Sequence, residues 1–428
     1  MSDGSPLSPR RPTHPSAPRW QVLVWTLFDF ANTSFSVLIV AVGYSLYFKQ
    51  IVAGGSGRGD FLWGVAVSIS MLITALLAPA LGAASDFAHS RKRFLFAFTA
   101  ASIAATALLW SVQPGMVLAG MALFVVANVG FEGGIVFYNA FLPVLASPRS
   151  YGRVSGYGFA MGYVGSLASL LIAFPLFQAG FAPENLPNVR LSFLIAAGMF
   201  LIFSLPLFLF LPDVPRRTGG PSNYFRAGLR RVLDTVANVR GYRNVARFLL
   251  AFFLYNDGIL TVISFASIFA QDSLGFTLVE VLVLFAVVQA SAIVGSVLIG
   301  FLTDRIGPKR AIVLTLLAWL GVVGAAYFVT AKEVFFAVGM VAGAAMGGSQ
   351  SASRSLMASL TPPEREAEFF GFYDGFCGKA SAVIGTFLFG LLSLAMSQRA
   401  AVISVGIFFL AGLWLLRSVE DPLDRSRP

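Results

Sequence analysis

Ionisable side chains interrupt several of the longest apolar stretches in this chain of 428 residues. Asp29, Glu132 and Asp257 are acidic members of this set, and Lys379 is a basic one. A charge near the centre of a lipid bilayer costs roughly 2.5–3.5 kcal/mol, so such groups commonly bind a solute, carry a proton or pair with one another. Carboxylates and an ammonium group together would suit the two ends of a zwitterion. Fixed ion pairs between helices, with no ligand, are the alternative.

Further polar residues extend this candidate substrate or proton site. Asn32, Asn139 and Gln350 lie in apolar surroundings, although a polar residue in a membrane helix more often bonds to a neighbouring helix than to a ligand. Arg354 and Asp374 fall nearer to the ends of their apolar stretches. We therefore predict that these two form part of a gate, with a place in the binding site as an equal alternative.

The composition identifies the setting of these residues. Hydrophobic residues make up 57% of the chain and charged residues 12%, against about 25% charged in an ordinary soluble domain. The net charge is +10, but the basic residues lie in loops, so we do not expect a nucleic-acid partner. One Cys and two His argue against a metal site or an internal disulfide. The sequence is that of a membrane protein.

Apolar runs of membrane-spanning length predict twelve helices and no strands. Their approximate bounds are 21–48, 61–84, 94–113, 116–146, 155–178, 190–211, 247–271, 279–302, 311–330, 334–360, 369–396 and 399–417. Lys and Arg concentrate in alternate loops and in both tails, whereas the opposite loops carry few of them. Cytoplasmic loops are the ones enriched in Lys and Arg, so we expect both termini in the cytoplasm.

The same reading divides the chain into five parts. We predict a disordered cytoplasmic tail at 1–19, a six-helix bundle at 20–211, a basic linker at 212–246, a second six-helix bundle at 247–417 and a cytoplasmic tail at 418–428. Recurring Arg and apolar residues in the linker suggest a short amphipathic helix along the anionic inner leaflet. A plain connection and a regulatory partner site are the alternatives.

A short motif occurs twice, about half the chain apart. Gly82 and Asp86 are followed by a basic cluster that begins at Arg91, and Gly300 and Asp304 are followed by Arg305 and Lys309. The glycines would let two helices approach closely. Each carboxylate would accept hydrogen bonds from the N–H groups at the start of a neighbouring helix. We predict that the two copies act as latches that hold the cytoplasmic side closed, and that the chain is a duplication.

The doubled motif resembles the signature of the major facilitator superfamily. Longer stretches resemble the bacterial branch related to the vacuole amino-acid effluxers; they are Trp25 to Phe35, Tyr138 to Pro143, Arg153 to Gly158, Gly348 to Ser355 and Phe369 to Asp374. The resemblance implies a facilitator fold, and amino-acid efflux is the activity known for eukaryotic members. One departure is the run Phe87-Ala88-His89, where the superfamily has Arg-x-Gly. It predicts a weaker or differently built latch in the first half.

These observations favour a secondary transporter over the other classes. Two pseudo-symmetric bundles would rock about a midplane site and expose it to each side in turn. We expect a small polar or zwitterionic solute such as an amino acid, moved by efflux and coupled to protons through Asp29, Glu132 or Asp257, because burial favours a protonated carboxyl group. An uncoupled facilitator and a non-transporting receptor or scaffold on the same fold are the alternatives.

Other functional classes lack sequence support. The chain has no phosphate-binding motif of the ATP-hydrolysing type and no paired nucleophile and base, so we expect neither an enzyme nor a cofactor, apart from a proton gradient. The partners expected are the small-molecule substrate and the lipid bilayer. We expect a monomer that crosses the bacterial inner membrane many times.

Overall fold

The structure is a computed structural model, and it describes residues 17–55, 57–213, 223–381, 388–389, 391–393 and 398–423. These residues are helical or lie in turns between helices, and no strand occurs among them. A helix bonds all of its own backbone groups, which an apolar segment in lipid requires. Parts of the predicted tails and linker, at 1–16, 214–222 and 424–428, lie outside the described residues.

Ten helices of the described chain are long and apolar enough to cross a membrane, and three further helices accompany them. The first six are α1 (Arg19–Val52), α2 (Arg58–Ala88), α3 (Arg91–Ser111), α4 (Val117–Leu145), α5 (Pro148–Phe177) and α6 (Pro183–Phe210). The shorter helix α7 (Tyr224–Ala237) precedes α8 (Val239–Leu274), α9 (Val279–Ile306), α10 (Pro308–Phe328) and α11 (Lys332–Leu360). Helix α12 begins at Glu366 and is described as far as Ala380, and α13 spans Gln398–Leu416. The predicted all-α, twelve-helix fold is confirmed.

Two helices contain π-helical turns beside polar residues. In α1 such turns occupy Ser36–Ala41 and Phe48–Val52, and in α12 one occupies Gly371–Cys377. A π-helical turn inserts an extra residue and so rotates the side chains that follow it. The turn in α12 lies directly before Lys379, which lines the central cavity.

The two halves contact each other through a repeated pair of helix crossings. Helix α2 meets the start of α12 at Gly82, where a Cβ atom would overlap the carbonyl oxygen of Ala367. Helix α9 meets the start of α5 at Gly300, where a Cβ atom would lie 2.8 Å from the carbonyl oxygen of Gly152. Glycine is needed at both places because the backbones themselves are in contact. These crossings lie beside Asp86 and Asp304, and we call this side of the molecule the latch face.

Each bundle is also closed on itself at the latch face. Lys92, at the start of α3, donates from Nζ to the carbonyl oxygen of Leu211 (2.5 Å), just beyond α6. Lys309, at the start of α10, donates from Nζ to the carbonyl oxygen of Val419 (2.6 Å), just beyond α13. Lys309 was predicted as part of the latch between the bundles. The structure instead shows it joining two helices of the same bundle.

Helix α7 occupies the segment predicted as the linker. It starts at the N-cap residue Asn223, whose side chain accepts a hydrogen bond from the backbone N–H of Arg226 (2.9 Å). It lies against α2, where a Cβ atom at Gly228 would overlap the carbonyl oxygen of Ala80. Helix α8 begins at Val239, earlier than the predicted bundle boundary at 247.

Candidate functional site

A cavity of about 1450 Å³ lies between the two bundles. Of the seven residues predicted for the substrate or proton site, six line it: Asp29, Asn32, Glu132, Asn139, Gln350 and Lys379. Its wall extends to Val67 on α2 and Phe269 on α8, near the ends of these helices that lie away from the latch face. The cavity therefore combines a charged region with a long, mostly apolar wall.

Asp257 is the exception among the predicted site residues. Its side chain is fully buried, and it is not among the residues that line the cavity; its neighbour Asn256 lines the cavity instead. Successive residues of a helix point about 100° apart. The predicted depth along α8 therefore did not determine which side chain faces the cavity.

Arg354 ties the two bundles together beside the cavity. It is 1% exposed, and its Nε donates to the hydroxyl of Ser155 (2.9 Å) while Nη2 donates to the carbonyl oxygen of the same residue (2.6 Å). Its Nη1 donates to Oδ1 of Asn139 (2.9 Å) and lies 3.4 Å from Oδ2 of Asp29. The guanidinium also lies 4.1 Å from the centre of the Phe159 ring. All three of these polar partners belong to the first bundle, so the contact has the geometry of a gate.

A second ionic contact crosses the cavity, between Lys379 on α12 and Glu132 on α4. The Lys379 side chain is 21% exposed and that of Glu132 is 7% exposed, so this pair is more accessible from the cavity than Arg354. Glu132 lies between Gly130 and Gly133. Helix α3 packs so closely there that a Cβ atom added at either glycine would overlap atoms of α3. This close packing places the Glu132 carboxylate at a well-defined position in the cavity wall.

Asp374 also lines the cavity, which fits the binding-site alternative that was left open for it beside a role in the gate. Its Oδ2 accepts a hydrogen bond from Nδ2 of Asn139 (2.8 Å), the amide that also binds Arg354 through its oxygen. Gln350 accepts a hydrogen bond from the hydroxyl of Tyr163 (2.6 Å). Each contact joins a residue of one bundle to a residue of the other. Polar groups beside the cavity therefore serve as links between the bundles.

The first latch is built around Asp86. Its two carboxylate oxygens accept hydrogen bonds from the backbone N–H groups of Ala367 (3.2 Å) and Glu368 (3.0 Å) at the start of α12. Arg91 donates to Oδ1 of Asp86 (2.9 Å) and contacts Glu366 Oε2 at 2.5 Å. The carboxylate thus satisfies backbone groups that a helix start leaves without partners, and Arg91 contacts a carboxylate of each bundle.

The second latch repeats this arrangement around Asp304. Its Oδ1 accepts from the backbone N–H of Gly152 (2.8 Å) and its Oδ2 from that of Arg153 (3.3 Å), at the start of α5. The Arg153 side chain adds an ion pair of 3.6 Å, but it is 49% exposed. Arg305 is exposed at the end of α9, and its part in the gate stays a prediction.

The departure at Phe87-Ala88-His89 has a structural counterpart. The Arg231 guanidinium of α7 lies 4.7 Å from the centre of the Phe87 ring, and His89 ends α2 in the left-handed conformation. The first latch thus differs from the second in its contact with Arg231 of α7. It is also the more extensively bonded of the two.

Tyr138, a polar residue in an apolar stretch that the sequence already associates with the site, donates from its hydroxyl to Oδ2 of Asp29 (2.7 Å). Other contributors to the site were not predicted, and one of them is Ser155, which holds Arg354. Glu366 and Glu368 complete the first latch. Glu368 could have been found, because it occupies the place in the repeat where the first half has Arg153. Ser155 gave no comparable signal, since serines whose hydroxyls donate to a carbonyl oxygen of their own helix are common in this chain.

Comparisons with known proteins agree with this architecture. The family described as Vacuole effluxer Atg22 like matches residues 64–152 and 149–427. The uncharacterized MFS-type transporter YxiO of Bacillus subtilis is 30% identical over 405 residues, which cover 93% of this chain and 94% of that protein. Autophagy-related protein 22 of Kluyveromyces lactis is 25% identical over 360 residues, or 76% of this chain and 72% of its own length.

Solved structures share the fold at low sequence identity. The major facilitator superfamily transporter FucP in its outward conformation superposes with a TM-score of 0.75 at 16% identity, covering 94% of this chain and 98% of its own. The human organic anion transporter MFSD10 gives a TM-score of 0.74 at 16% identity, covering 93% and 99%. The chain is a multi-pass membrane transporter of the major facilitator superfamily, and it belongs to the family described as Vacuole effluxer Atg22 like.

Proposed function

We propose that this transporter moves a small zwitterionic solute, of which an amino acid is the simplest case, through the cavity between its bundles. The observation that carries the proposal is the pair of Lys379 and Glu132, which face each other across the cavity from different bundles. Lys379 would receive a carboxylate and Glu132 an ammonium group. An uncharged solute could not replace the contact that the two residues make with each other.

The apolar wall supports a solute that has an apolar part in addition to its two charged groups. Phe265, Phe269 and Trp319 are among the residues that line the cavity beyond the charged region. A solute held by its charged groups would place its remaining atoms against this wall, where apolar burial contributes about 25 cal/mol per Å². The wall therefore suits an amphipathic zwitterion.

Alternating access would use the contacts between the bundles as its gates. In the structure both latches and the contacts of Arg354 are formed, so the latch face is closed. Opening that face would require Arg354 to leave Ser155 and Asn139, and each latch carboxylate to leave its helix start. Repeated bundles make two such states similar in energy.

Orientation, direction and coupling are further parts of the proposal. We place the latch face in the cytoplasm of a bacterial inner membrane, on the distribution of Lys and Arg. Efflux rests on the description of the family as effluxers, and proton coupling rests on the carboxyl groups of Asp29 and Glu132 in the cavity wall. Flux measured in both directions, with and without an imposed pH gradient, tests each part separately.

The decisive experiment is counterflow in proteoliposomes with the protein amino acids, each compared with the corresponding amino alcohol and deaminated acid. We expect transport only of compounds that retain both charges. Lys379→Gln should raise KM for the amino acid by about tenfold or more, since a charged hydrogen bond contributes about 1.5–3 kcal/mol.

Lys332→Gln is the matched control. Lys332 pairs with Glu280 at 2.8 Å away from the cavity, so its loss should leave KM unchanged. Equal transport of an amino acid and its amino alcohol would contradict the zwitterion proposal. Absence of flux for every compound, in protein that is folded and inserted, would favour the non-transporting receptor.

A further inference from the structure

Helix α7 presents two different faces. Gly228, Arg231 and Thr235 face the membrane bundle, since Gly228 contacts α2 and the other two contact Glu368. Leu229 and Leu233, four residues apart, lie on a different side of the helix and are 43% and 61% exposed. Residues three and four apart share a side of a helix. One side of α7 is thus committed to the protein, and the other carries exposed apolar groups.

The committed side of α7 neutralises a buried charge of the first latch. Glu368 is fully buried, and its backbone N–H binds Asp86. Its carboxylate lies 2.8 Å from Nε of Arg231, accepts a hydrogen bond from the hydroxyl of Thr235 (2.5 Å), and lies 3.8 Å from Arg365. Removal of α7 would take away two of these three partners. A buried carboxylate without partners is costly, so the latch depends on α7 being in place.

The outer edge of α7 is basic. A cavity of about 530 Å³ lies between α7 and the loop before α12, with Arg230, Arg231 and Arg365 in its wall together with Asp234 and Glu364. The remaining lining residues are Phe87, Ala227 and Pro363. Arg231 and Arg365 already contact Glu368, whereas Arg230 is exposed. Arginine suits phosphate groups because its planar fork can donate two parallel hydrogen bonds.

We propose that α7 is a lipid-dependent clamp. Anionic phospholipid headgroups bind Arg226 and Arg230, the exposed apolar residues of α7 enter the acyl region of the same leaflet, and the committed side then keeps Glu368 neutralised and the first latch closed. A helix with exposed apolar groups and arginines at its edge matches an anionic leaflet in both chemistry and charge. The inference goes beyond solute transport and does not depend on the solute.

The test measures the latch face directly. Spin labels on Arg93→Cys and Arg310→Cys, in a Cys377→Ala background, report the separation of the two bundles, because Arg93 and Arg310 are exposed at the starts of α3 and α10. The protein is placed in nanodiscs of phosphatidylcholine, alone or with phosphatidylglycerol. We expect phosphatidylglycerol to raise the closed-to-open ratio, by about fivefold for each arginine that binds the leaflet.

Variants separate the clamp from a general effect of membrane charge. Arg226→Gln with Arg230→Gln should remove the response to phosphatidylglycerol, whereas Arg58→Gln, an exposed arginine at the other end of α2, should keep it. Inorganic phosphate added to discs of pure phosphatidylcholine should have no effect. The proposal is overturned if the wild-type ratio is the same in both lipids, if the double variant responds as the wild type does, or if phosphate alone closes the face.

Discussion

The two latches use the same backbone arrangement with different charges around it. In each, an aspartate at the end of one helix accepts hydrogen bonds from two N–H groups at the start of a helix in the other bundle. The residue that supplies the second of those N–H groups is Glu368 in the first latch and Arg153 in the second. The sign of this side chain determines what else each latch requires.

Arg153 can pair with Asp304 directly, and the second latch needs no further partner there. Glu368 would repel Asp86, and the first latch surrounds it with Arg231, Thr235 and Arg365. Duplicated contacts can therefore keep their backbone geometry while one copy acquires a dependence on another element. Here that element is α7.

The aspartates provide the largest expected difference between the latches. The Asp86 carboxylate is the shared partner of two buried N–H groups and of Arg91. Asp86→Ala removes it, and we expect the closed state to lose about 3–5 kcal/mol of stability. Asp304→Ala removes hydrogen bonds at a more exposed site, and we expect about 1.5–3 kcal/mol. Spin-label distances between the bundles measure both effects, with the exposed Asp60→Ala at the other end of α2 as control. Equal effects would mean that burial does not distinguish the latches.

The glycines should give the next largest effect. A Cβ atom at Gly82 would overlap the backbone of Ala367, so Gly82→Ala should force α2 and α12 apart at a cost of about 1–3 kcal/mol. Gly300→Ala should cost less, because the atom nearest to its Cβ atom would lie at 2.8 Å, compared with 2.1 Å at Gly82. Gly64→Ala is the control, since a Cβ atom there meets nothing within 4 Å. The same distance measurement would contradict the comparison if Gly300→Ala had the larger effect.

The dependence of the first latch on α7 can be measured by a double-mutant cycle. Arg231→Gln should favour the open latch face, and adding Glu368→Gln should restore the closed state, because the charge that needs neutralising is gone. We expect a coupling energy of about 0.5–3 kcal/mol between the two positions. Additive effects of the two substitutions would show that Arg231 and Glu368 act independently.

The smallest effect is expected at Arg153. Its side chain is 49% exposed, whereas that of Arg91 is 5% exposed, and an exposed ion pair contributes about 0–1 kcal/mol. Arg153→Gln should therefore change the closed-to-open ratio little, and the change should decrease further in high salt because exposed charges are screened. A large, salt-independent effect would show that the second latch relies on this ion pair.

Much of the fold could be predicted because its causes are local. Long apolar runs determine where helices form in a membrane, and the repeat of Gly82 and Asp86 as Gly300 and Asp304 indicated two related halves. The ends of helices were less predictable: α1 continues to Val52, past the predicted 48, and α8 begins before 247. Turns of π-helix such as Gly371–Cys377 depend on packing between helices and have no clear local signal.

The candidate site was predictable by residue type and less so by role. Asp29, Glu132 and Lys379 line the cavity, since a charge in an apolar helix must find a polar environment. Asp257 met the same sequence criterion, but its side chain does not line the cavity, whereas Asp374 does line it. Depth along a helix can be read from sequence, whereas the direction of a side chain follows from how that helix is rotated against its neighbours.

The class of protein, the presence of the helices, the duplication and the positions of the latch motifs follow from the amino-acid sequence, because apolar length and repeated spacing are properties of the chain. The partners of the charged residues depend on tertiary packing: Glu132 pairs with Lys379, Arg354 with Ser155 and Asn139, and Glu368 with Arg231 of α7. These partners come from helices far apart in the chain. Ion pairs and hydrogen bonds act over a few ångströms, so they are established only when packing has placed the helices side by side.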